Sequence, residues 1–162
     1  MLVPNNDTDL KQHHQNMFLL KSACRDFHQE CMLEDYIDQL EHEDEFFDEM
    51  ELFLSMERYW HISQLIIQPE YTIIVDCGCG AGIQQLFFQN CKMYIGVDSA
   101  FKGRKLADNA VLLKDTVENH LSTHVYPTRL DQTVIGISVW CAANNESVHK
   151  AMIEHFERII SI

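Results

Sequence analysis

A glycine-rich turn in the middle of the chain constrains its fold more than any other feature. A short apolar run, Ile73 to Val75, is followed by Asp76 and then by Gly78, Gly80 and Gly82. A short β-branched run bounded by turn residues is typical of a central parallel strand that is covered on both faces. A strand that leads directly into a glycine turn is the first half of a β-α-β unit. The sequence therefore predicts an α/β fold.

The segment after the glycines completes this unit. Residues 83–89 predict a helix with an apolar face, and Tyr94 to Val97 predict a second strand that ends at Asp98. A nucleoside-containing ligand lies across the carboxyl edge of a parallel sheet, where glycines let the backbone approach it. Amides at the start of the helix can bind a carboxylate or phosphate, and an acid after the second strand can accept both ribose hydroxyls. The pattern predicts a nucleoside site.

The spacing of the glycines distinguishes between classes of nucleoside cofactor. The dinucleotide pattern G-x-G-x-x-G needs glycine or alanine at position 83, where this chain has Ile83, and this argues against NAD and FAD. Residues 75–82, VDCGCGAG, instead resemble the first motif of class I S-adenosylmethionine-dependent methyltransferases. Residues 96–99, GVDS, resemble the second motif of that family. The alternative interpretation is a doubly wound sheet with a glycine turn and no nucleotide.

The resemblance implies a cofactor, S-adenosyl-L-methionine, and a set of residues that bind it. The glycines would line the methionine moiety, Asp76 would help to hold its amino group directly or through water, and Asp98 would bind the ribose. Asp115, which follows a third predicted strand at Ala110 to Leu113, resembles the acid that binds the adenine amino group; alternatively, it is a helix N-cap. The predicted cofactor-binding residues are Asp76, Cys77, Gly78, Gly80, Gly82, Asp98, Ser99 and Asp115.

The first part of the chain differs in composition from the rest. Residues 5–68 contain neither glycine nor proline and carry apolar residues at helical spacing. We predict an N-terminal helical cap, residues 1–68, followed by a truncated Rossmann-like domain, residues 69–162. In the family that the chain resembles, such helices cover the cofactor and shape the substrate pocket. Residues 59–61, YWH, lie in a region that can face the cofactor by the same resemblance.

The second domain contains fewer strands than the resemblance implies. Class I methyltransferases have seven strands, whereas four are predicted here in the order 3-2-1-4, with Val134 to Val139 as the fourth. Such an apolar edge strand is an aggregation hazard unless something covers it. We therefore expect a homodimer, or a complex that covers the edge of the fourth strand. A last helix is predicted to start at Asn145 or Ser147, with an apolar face made of Val148, Met152, Phe156 and Ile160.

Composition excludes several classes of function. The net charge of −13, from 12 basic and 25 acidic residues, disfavours nucleic acid as a partner because binding phosphates requires a cationic surface. No membrane span and no secretory signal is recognised, so a cytoplasmic protein with reduced cysteines is expected.

No metal is expected: Cys77 and Cys79 lack a second pair at zinc-ribbon spacing. His120 and His124 have metal-ligand spacing on a helix, but without an evident third ligand we interpret them as structural.

The sequence does not identify a catalytic residue. Amino-group methyltransferases that act on adenine, cytosine or glutamine often carry Asn or Asp, two prolines and an aromatic residue after the fourth strand, whereas residues 139–145 read VWCAANN. Trp140 and Asn144 lie where substrate contacts are expected. Methyl transfer from a sulfonium requires mainly an in-line approach and a desolvated pocket, so an enzyme remains consistent with the sequence. Two hypotheses follow: a methyltransferase acting on a small molecule or a protein, or a non-catalytic cofactor-binding or interaction module built on a degenerate methyltransferase fold.

Overall fold

The part of the chain that the structure describes forms the predicted α/β domain. The computed structural model describes residues 58–80, 82–101, 105–127, 129–139 and 141–161. They belong to one compact unit, Arg58 to Ile162. Most of the predicted helical cap lies outside the described residues, as does Trp140, so the predictions made for them stay predictions.

Five parallel strands form one sheet. They are β1 (Thr72–Cys77), β2 (Met93–Val97), β3 (Ala110–Leu113), β4 (Thr133–Ser138) and β5 (Ile159–Ser161). The order across the sheet is β3-β2-β1-β4-β5, and every neighbouring pair is parallel. This is the order of a Rossmann-like sheet, which confirms the predicted fold class and the 3-2-1-4 order of its first four strands.

The β1 strand occupies the centre of the sheet. All six of its residues are buried, as expected of a strand covered on both faces. Val75 lies opposite Ile95 of β2 on one side and Gly136 of β4 on the other. The carboxyl end of β1, where the glycine turn begins, therefore lies between the carboxyl ends of two other strands.

The sheet contains one strand more than the sequence predicted. Ile160 is predicted on the last helix, but that helix ends at His155 and Ile160 lies in β5, paired with Ile137. A three-residue strand is too short to show an alternating pattern, and Ile160 happens to continue the helical spacing of the preceding apolar residues. Because β5 covers β4, the fourth strand is not an exposed edge. The expectation of a homodimer or complex loses this support and stays a prediction.

Helical segments lie before β1 and between most of the strands. Among the described residues they are α1 (residues 58–64), the 3₁₀ helices Pro69–Tyr71 and Ile83–Phe88, α2 (Val117–Thr123), α3 (Cys141–Asn144) and α4 (Glu146–His155). The Asn145 side chain caps α4 by accepting hydrogen bonds from the amides of Ser147 and Val148, in agreement with the predicted start. The cap of α2 is Thr116, which accepts from the Asn119 amide, and not Asp115. Within the described part of the chain, no helix could cross a membrane.

A glycine in β4 makes room for an aromatic ring of the core. A Cβ atom added at Gly136 would lie 2.3 Å from Cδ2 of Phe156, the residue that follows α4. The Phe156 side chain is buried and belongs to the main hydrophobic cluster, where its ring stacks on that of Tyr126. Gly136 therefore permits the contact between the end of α4 and the sheet.

Replacing Gly136 with alanine is expected to lower the free energy of unfolding by about 1–3 kcal/mol, the usual cost of overpacking a core. The measurement is urea denaturation of the wild type, Gly136→Ala, Phe156→Leu and the double variant. Because the smaller leucine side chain at position 156 would leave space for the new methyl group, the double variant should lose less stability than the two single losses added together. Strictly additive losses of stability would show that Gly136 and Phe156 do not interact.

Candidate functional site

The glycine turn and two of the predicted acids meet at the carboxyl edge of the sheet. Backbone hydrogen bonds tie them together: the amides of Gly78 and Cys79 donate to the Val97 carbonyl, at 2.8 and 3.1 Å. The amide of Asp98 donates to the Leu113 carbonyl at 3.1 Å, and that of Asp115 to the Asp98 carbonyl at 3.3 Å. The ends of β1, β2 and β3 therefore present the turn, Asp98 and Asp115 side by side, as the sequence predicted.

The three glycines of the turn all adopt backbone angles that other residues avoid. Their φ angles are +82° at Gly78, +57° at Gly80 and +73° at Gly82. Their surroundings differ. A Cβ atom at Gly78 would lie 2.4 Å from Cβ of Cys141 at the start of α3, whereas one at Gly80 would meet no atom within 4 Å. Gly78 is packed against the protein, and Gly80 faces open space from which a ligand could approach the backbone.

The Asp98 carboxylate is bound to the glycine turn. Its Oδ2 accepts a hydrogen bond from the Gly80 amide at 2.9 Å, and its Oδ1 accepts one from the Ala100 amide at 2.8 Å. A carboxylate offers about four lone-pair sites, so about two remain for further donors. A ribose diol supplies two hydroxyl donors. The half-buried Asp98 side chain thus fits the predicted ribose ligand.

The Asp115 carboxylate lies at the start of α2. Its two oxygens accept from the side-chain amide of Asn119 at 3.0 and 2.9 Å, and Oδ1 also accepts from the Thr116 amide at 2.8 Å. These bonds fix the carboxylate at the carboxyl edge of β3 and leave it acceptor capacity for an amino group. The remaining predicted residues differ in position: Ser99 is exposed, whereas the Cys77 side chain belongs to the hydrophobic core.

Asp76 has an environment that the sequence did not predict. Its carboxylate is fully buried and accepts three side-chain hydrogen bonds, from the Tyr59 hydroxyl at 3.0 Å, the Tyr94 hydroxyl at 2.5 Å and the Gln84 amide at 2.6 Å. Burial raises the pKa of Asp76 to about 6, although the three hydrogen bonds act in the opposite direction. Protein groups enclose this carboxylate on the sides described here. Its predicted contact with a methionine amino group stays a prediction.

Two glutamines of the 3₁₀ helix Ile83–Phe88 donate hydrogen bonds to carbonyls of the glycine turn, and sequence reasoning missed both. Gln84 and Gln85 are buried. The Gln85 side chain accepts from the amides of Leu106 and Ala107, at 2.6 and 3.0 Å, and donates to the Gly82 carbonyl at 2.8 Å. The predicted helix is thus a 3₁₀ helix, and its buried positions include both glutamines. Two adjacent glutamines within an otherwise apolar segment were the available signal, because burying an amide is favourable only where it finds partners.

Comparisons with known proteins do not assign a family. No protein-family model matches the sequence. No curated protein matches it either. Among solved structures, the chain is similar to a candidate methyltransferase from Streptococcus mutans crystallised in complex with SAH, with a TM-score of 0.42 and 19% sequence identity. The match covers 65% of this chain and 65% of that one, so the chain spans less than two thirds of the length of the solved protein. This likeness is too distant to assign an activity.

The thiols near the turn are unsuited to nucleophilic chemistry. Cys77, Cys79, Cys91 and Cys141 are free, and burial raises the pKa of each thiol, that of Cys91 to about 11. Cys77, Cys79 and Cys91 are buried in the core and Cys141 packs against it, so these cysteines contribute to packing.

The two histidines with metal-ligand spacing lie on α2. The buried His120 side chain shares a hydrogen bond between its Nε2 and the Tyr126 hydroxyl at 2.5 Å, and its ring stacks on that of His124 at a centroid distance of 4.2 Å. Among the residues that the structure describes, no group of three His, Cys, Asp or Glu side chains could hold a metal ion. The contacts of His120 are those of a packing residue.

Proposed function

We propose that the chain binds S-adenosyl-L-methionine at the carboxyl edge of β1, β2 and β3, and that it is a methyltransferase acting on a small molecule or a protein. One observation supports this proposal above the others. The Asp98 carboxylate is held by the amide of Gly80, in a turn of three glycines with left-handed backbone angles, and it keeps the acceptor capacity for two hydroxyls.

Each part of the site would hold a different part of the cofactor. Asp98 would accept hydrogen bonds from the two ribose hydroxyls, and Asp115 would accept one from the adenine amino group. The exposed backbone at Gly80 would lie against the methionine moiety, because no side chain blocks the approach there. Bound S-adenosylmethionine supplies an electrophilic methyl group on a sulfonium.

The chain's own contribution to the reaction would be positioning. The described residues after β4 are the buried Val139 and then Cys141, whose thiol has a raised pKa, two alanines and Asn144. None of these is a general base. Orienting an acceptor in line with the methyl group and excluding water would therefore account for most of the rate acceleration. The net charge of −13 favours an acceptor that is not a nucleic acid.

The absence of an acid or base in this short segment also supports a second candidate, a non-catalytic module that binds the same cofactor. The two candidates share the site and differ in the product. After incubation with labelled S-adenosylmethionine and pools of small molecules or proteins, the formation of S-adenosylhomocysteine and of a methylated acceptor would identify the enzyme. Saturable binding without turnover across all pools would identify the module.

Calorimetric titration tests cofactor binding directly. The ligands are S-adenosylmethionine, S-adenosylhomocysteine, its 2′-deoxy analogue and NAD. The wild type should bind the first two saturably and should not bind NAD. Asp98→Ala should weaken binding at least about tenfold, since a hydrogen bond to a charged group is worth roughly 1.5–3 kcal/mol.

The control variant is Asp131→Ala, which removes an exposed aspartate before the amino end of β4, at the opposite edge of the sheet. It should bind like the wild type. Loss of the 2′-hydroxyl should weaken binding to the wild type but change little in Asp98→Ala, which separates direct contact from a general disturbance of the turn. If the folded wild type binds neither adenosyl ligand, the proposal is wrong.

A further inference from the structure

The peptide group between Cys79 and Gly80 is held from both of its sides. Its carbonyl oxygen, on Cys79, accepts hydrogen bonds from the Gln84 side-chain amide at 2.7 Å and from the Gly82 amide at 3.0 Å. Its N–H, on Gly80, donates to Oδ2 of Asp98 at 2.9 Å. A peptide group is planar, so the orientation of the carbonyl fixes the direction of the N–H. The bonds from Gln84 and from the Gly82 amide therefore determine where the Gly80 N–H points on the ligand side, and the Gln84 bond is the one that comes from a side chain.

Gln84 is itself fixed by a buried network. Its Nε2 atom carries two hydrogens, one of which reaches Cys79 and the other Oδ2 of Asp76 at 2.6 Å. The Asp76 carboxylate is in turn bound by the hydroxyls of Tyr59 and Tyr94. Gln84 is 2% exposed and Asp76 is 0% exposed. Rotation of the Gln84 amide would break both hydrogen bonds and turn its carbonyl oxygen towards two other acceptors, which is costly even though the Gly82 amide still donates to Cys79 and the Tyr94 hydroxyl to Asp76.

The orientation of the Asp98 carboxylate depends on external donors. The terminal torsion of an aspartate is broad, so the side chain does not fix the plane of its own carboxylate. Here the amides of Gly80 and Ala100 fix it, with one donor to each oxygen. The Gly80 amide is the donor whose direction depends on Gln84.

We propose that Gln84 is a positioning residue for nucleoside recognition: together with the Gly82 amide it fixes the Cys79–Gly80 peptide and, through this peptide, the Asp98 carboxylate. This role rests on the proposed function, since it assigns Asp98 to the ribose. Gln84 does not contact the ligand. Its contribution is to hold the two free lone-pair positions of Asp98 where a ribose diol can reach them.

The test compares Gln84→Met with Gln89→Met. Methionine has nearly the length of glutamine but donates no hydrogen bond. Gln89 directly follows the same 3₁₀ helix, and its exposed side chain donates to the Leu86 carbonyl on the same helix. Gln84→Met should weaken binding of S-adenosylhomocysteine about tenfold, whereas Gln89→Met should leave it unchanged. If Gln84→Met does not fold, Gln84→Asn replaces it, since the shorter side chain keeps both donor hydrogens but cannot reach both acceptors.

Two readouts separate positioning from a general loss of structure. First, the wild type should bind S-adenosylhomocysteine more tightly than its 2′-deoxy analogue, and this ratio should fall towards one in Gln84→Met. Second, Gln84→Met should cause no further loss of affinity in an Asp98→Ala background. Equal weakening of both ligands, or additive losses in the double variant, would overturn the proposal.

A measurement without ligand distinguishes failure of this inference from failure of the proposed function. The amide proton of Gly80 should resonate downfield in the wild type because it donates to a carboxylate. In Gln84→Met it should move towards its position in Asp98→Ala, and in Gln89→Met it should not move. If the wild type binds no adenosyl ligand but the shift occurs, the proposed function fails and the link from Gln84 to Asp98 stands. An unchanged Gly80 resonance would overturn the link itself.

Discussion

Replacing Gly78 with alanine is expected to lower the free energy of unfolding by about 2–5 kcal/mol. Part of the loss is conformational, because a residue with a Cβ atom costs roughly 1–2 kcal/mol at a left-handed angle such as +82°. The rest is steric, because the new Cβ atom would lie 2.4 Å from Cβ of Cys141, and overpacking typically costs about 1–3 kcal/mol. Urea denaturation monitored by circular dichroism measures the change.

Gly80→Ala is the matched control for this variant. Its φ angle of +57° is also left-handed, but no atom lies within 4 Å of the added Cβ. Gly80→Ala should therefore lower the free energy of unfolding only by the conformational part, about 1–2 kcal/mol. Combining Gly78→Ala with Cys141→Ala should restore little, because alanine keeps the Cβ atom that makes the closest contact. Equal losses in the two glycine variants would show that Gly78 is not packed against α3.

The contribution of Asp76 to stability should decrease as the pH rises from 4 to 6. Burial raises its pKa from the ordinary value of 3.8 to about 6, and nearby Asp98 acts in the same direction. The folded protein therefore holds the proton more tightly than the unfolded chain does. In this window the native state binds more protons, so stability falls as the pH rises, by about 3 kcal/mol in total for a shift of about two pKa units.

Asp76→Asn isolates this effect because asparagine does not titrate. We would measure the free energy of unfolding by urea denaturation between pH 4 and 7.5 in the wild type, in Asp76→Asn and in the exposed control Asp131→Asn. The wild type minus Asp76→Asn difference should decrease by about 3 kcal/mol between pH 4 and 7, and the control should parallel the wild type. A difference that grows with pH would mean that the hydrogen bonds of Tyr59, Tyr94 and Gln84 outweigh the cost of burial.

Both predictions concern the inner side of the glycine turn, where stability and the proposed function meet. Gly78 anchors the turn against α3, and Asp76 anchors Gln84, which holds the carbonyl of Cys79. The outer side of the same turn presents the Gly80 amide and Asp98. A variant on the inner side should therefore change ligand binding without touching the ligand.

The sequence by itself determined the β-α-β unit and the place of Asp98 and Asp115 at one edge of the sheet. These features follow from local causes. A buried parallel strand needs a continuous apolar run, a left-handed turn needs glycine, and residues that follow parallel strands gather at one edge. Each cause can be recognised within a few neighbouring residues.

Only the tertiary structure decided how the polar groups behind the turn are paired, and where the short last strand lies. Asp76 finds its donors in Tyr59 and Tyr94, which are 17 and 18 residues away along the chain. β5 exists because its three residues pair with β4, not because of a pattern of their own. The partners of a buried polar group and the pairing of a three-residue strand depend on which distant residues the fold brings together, and no local pattern encodes that.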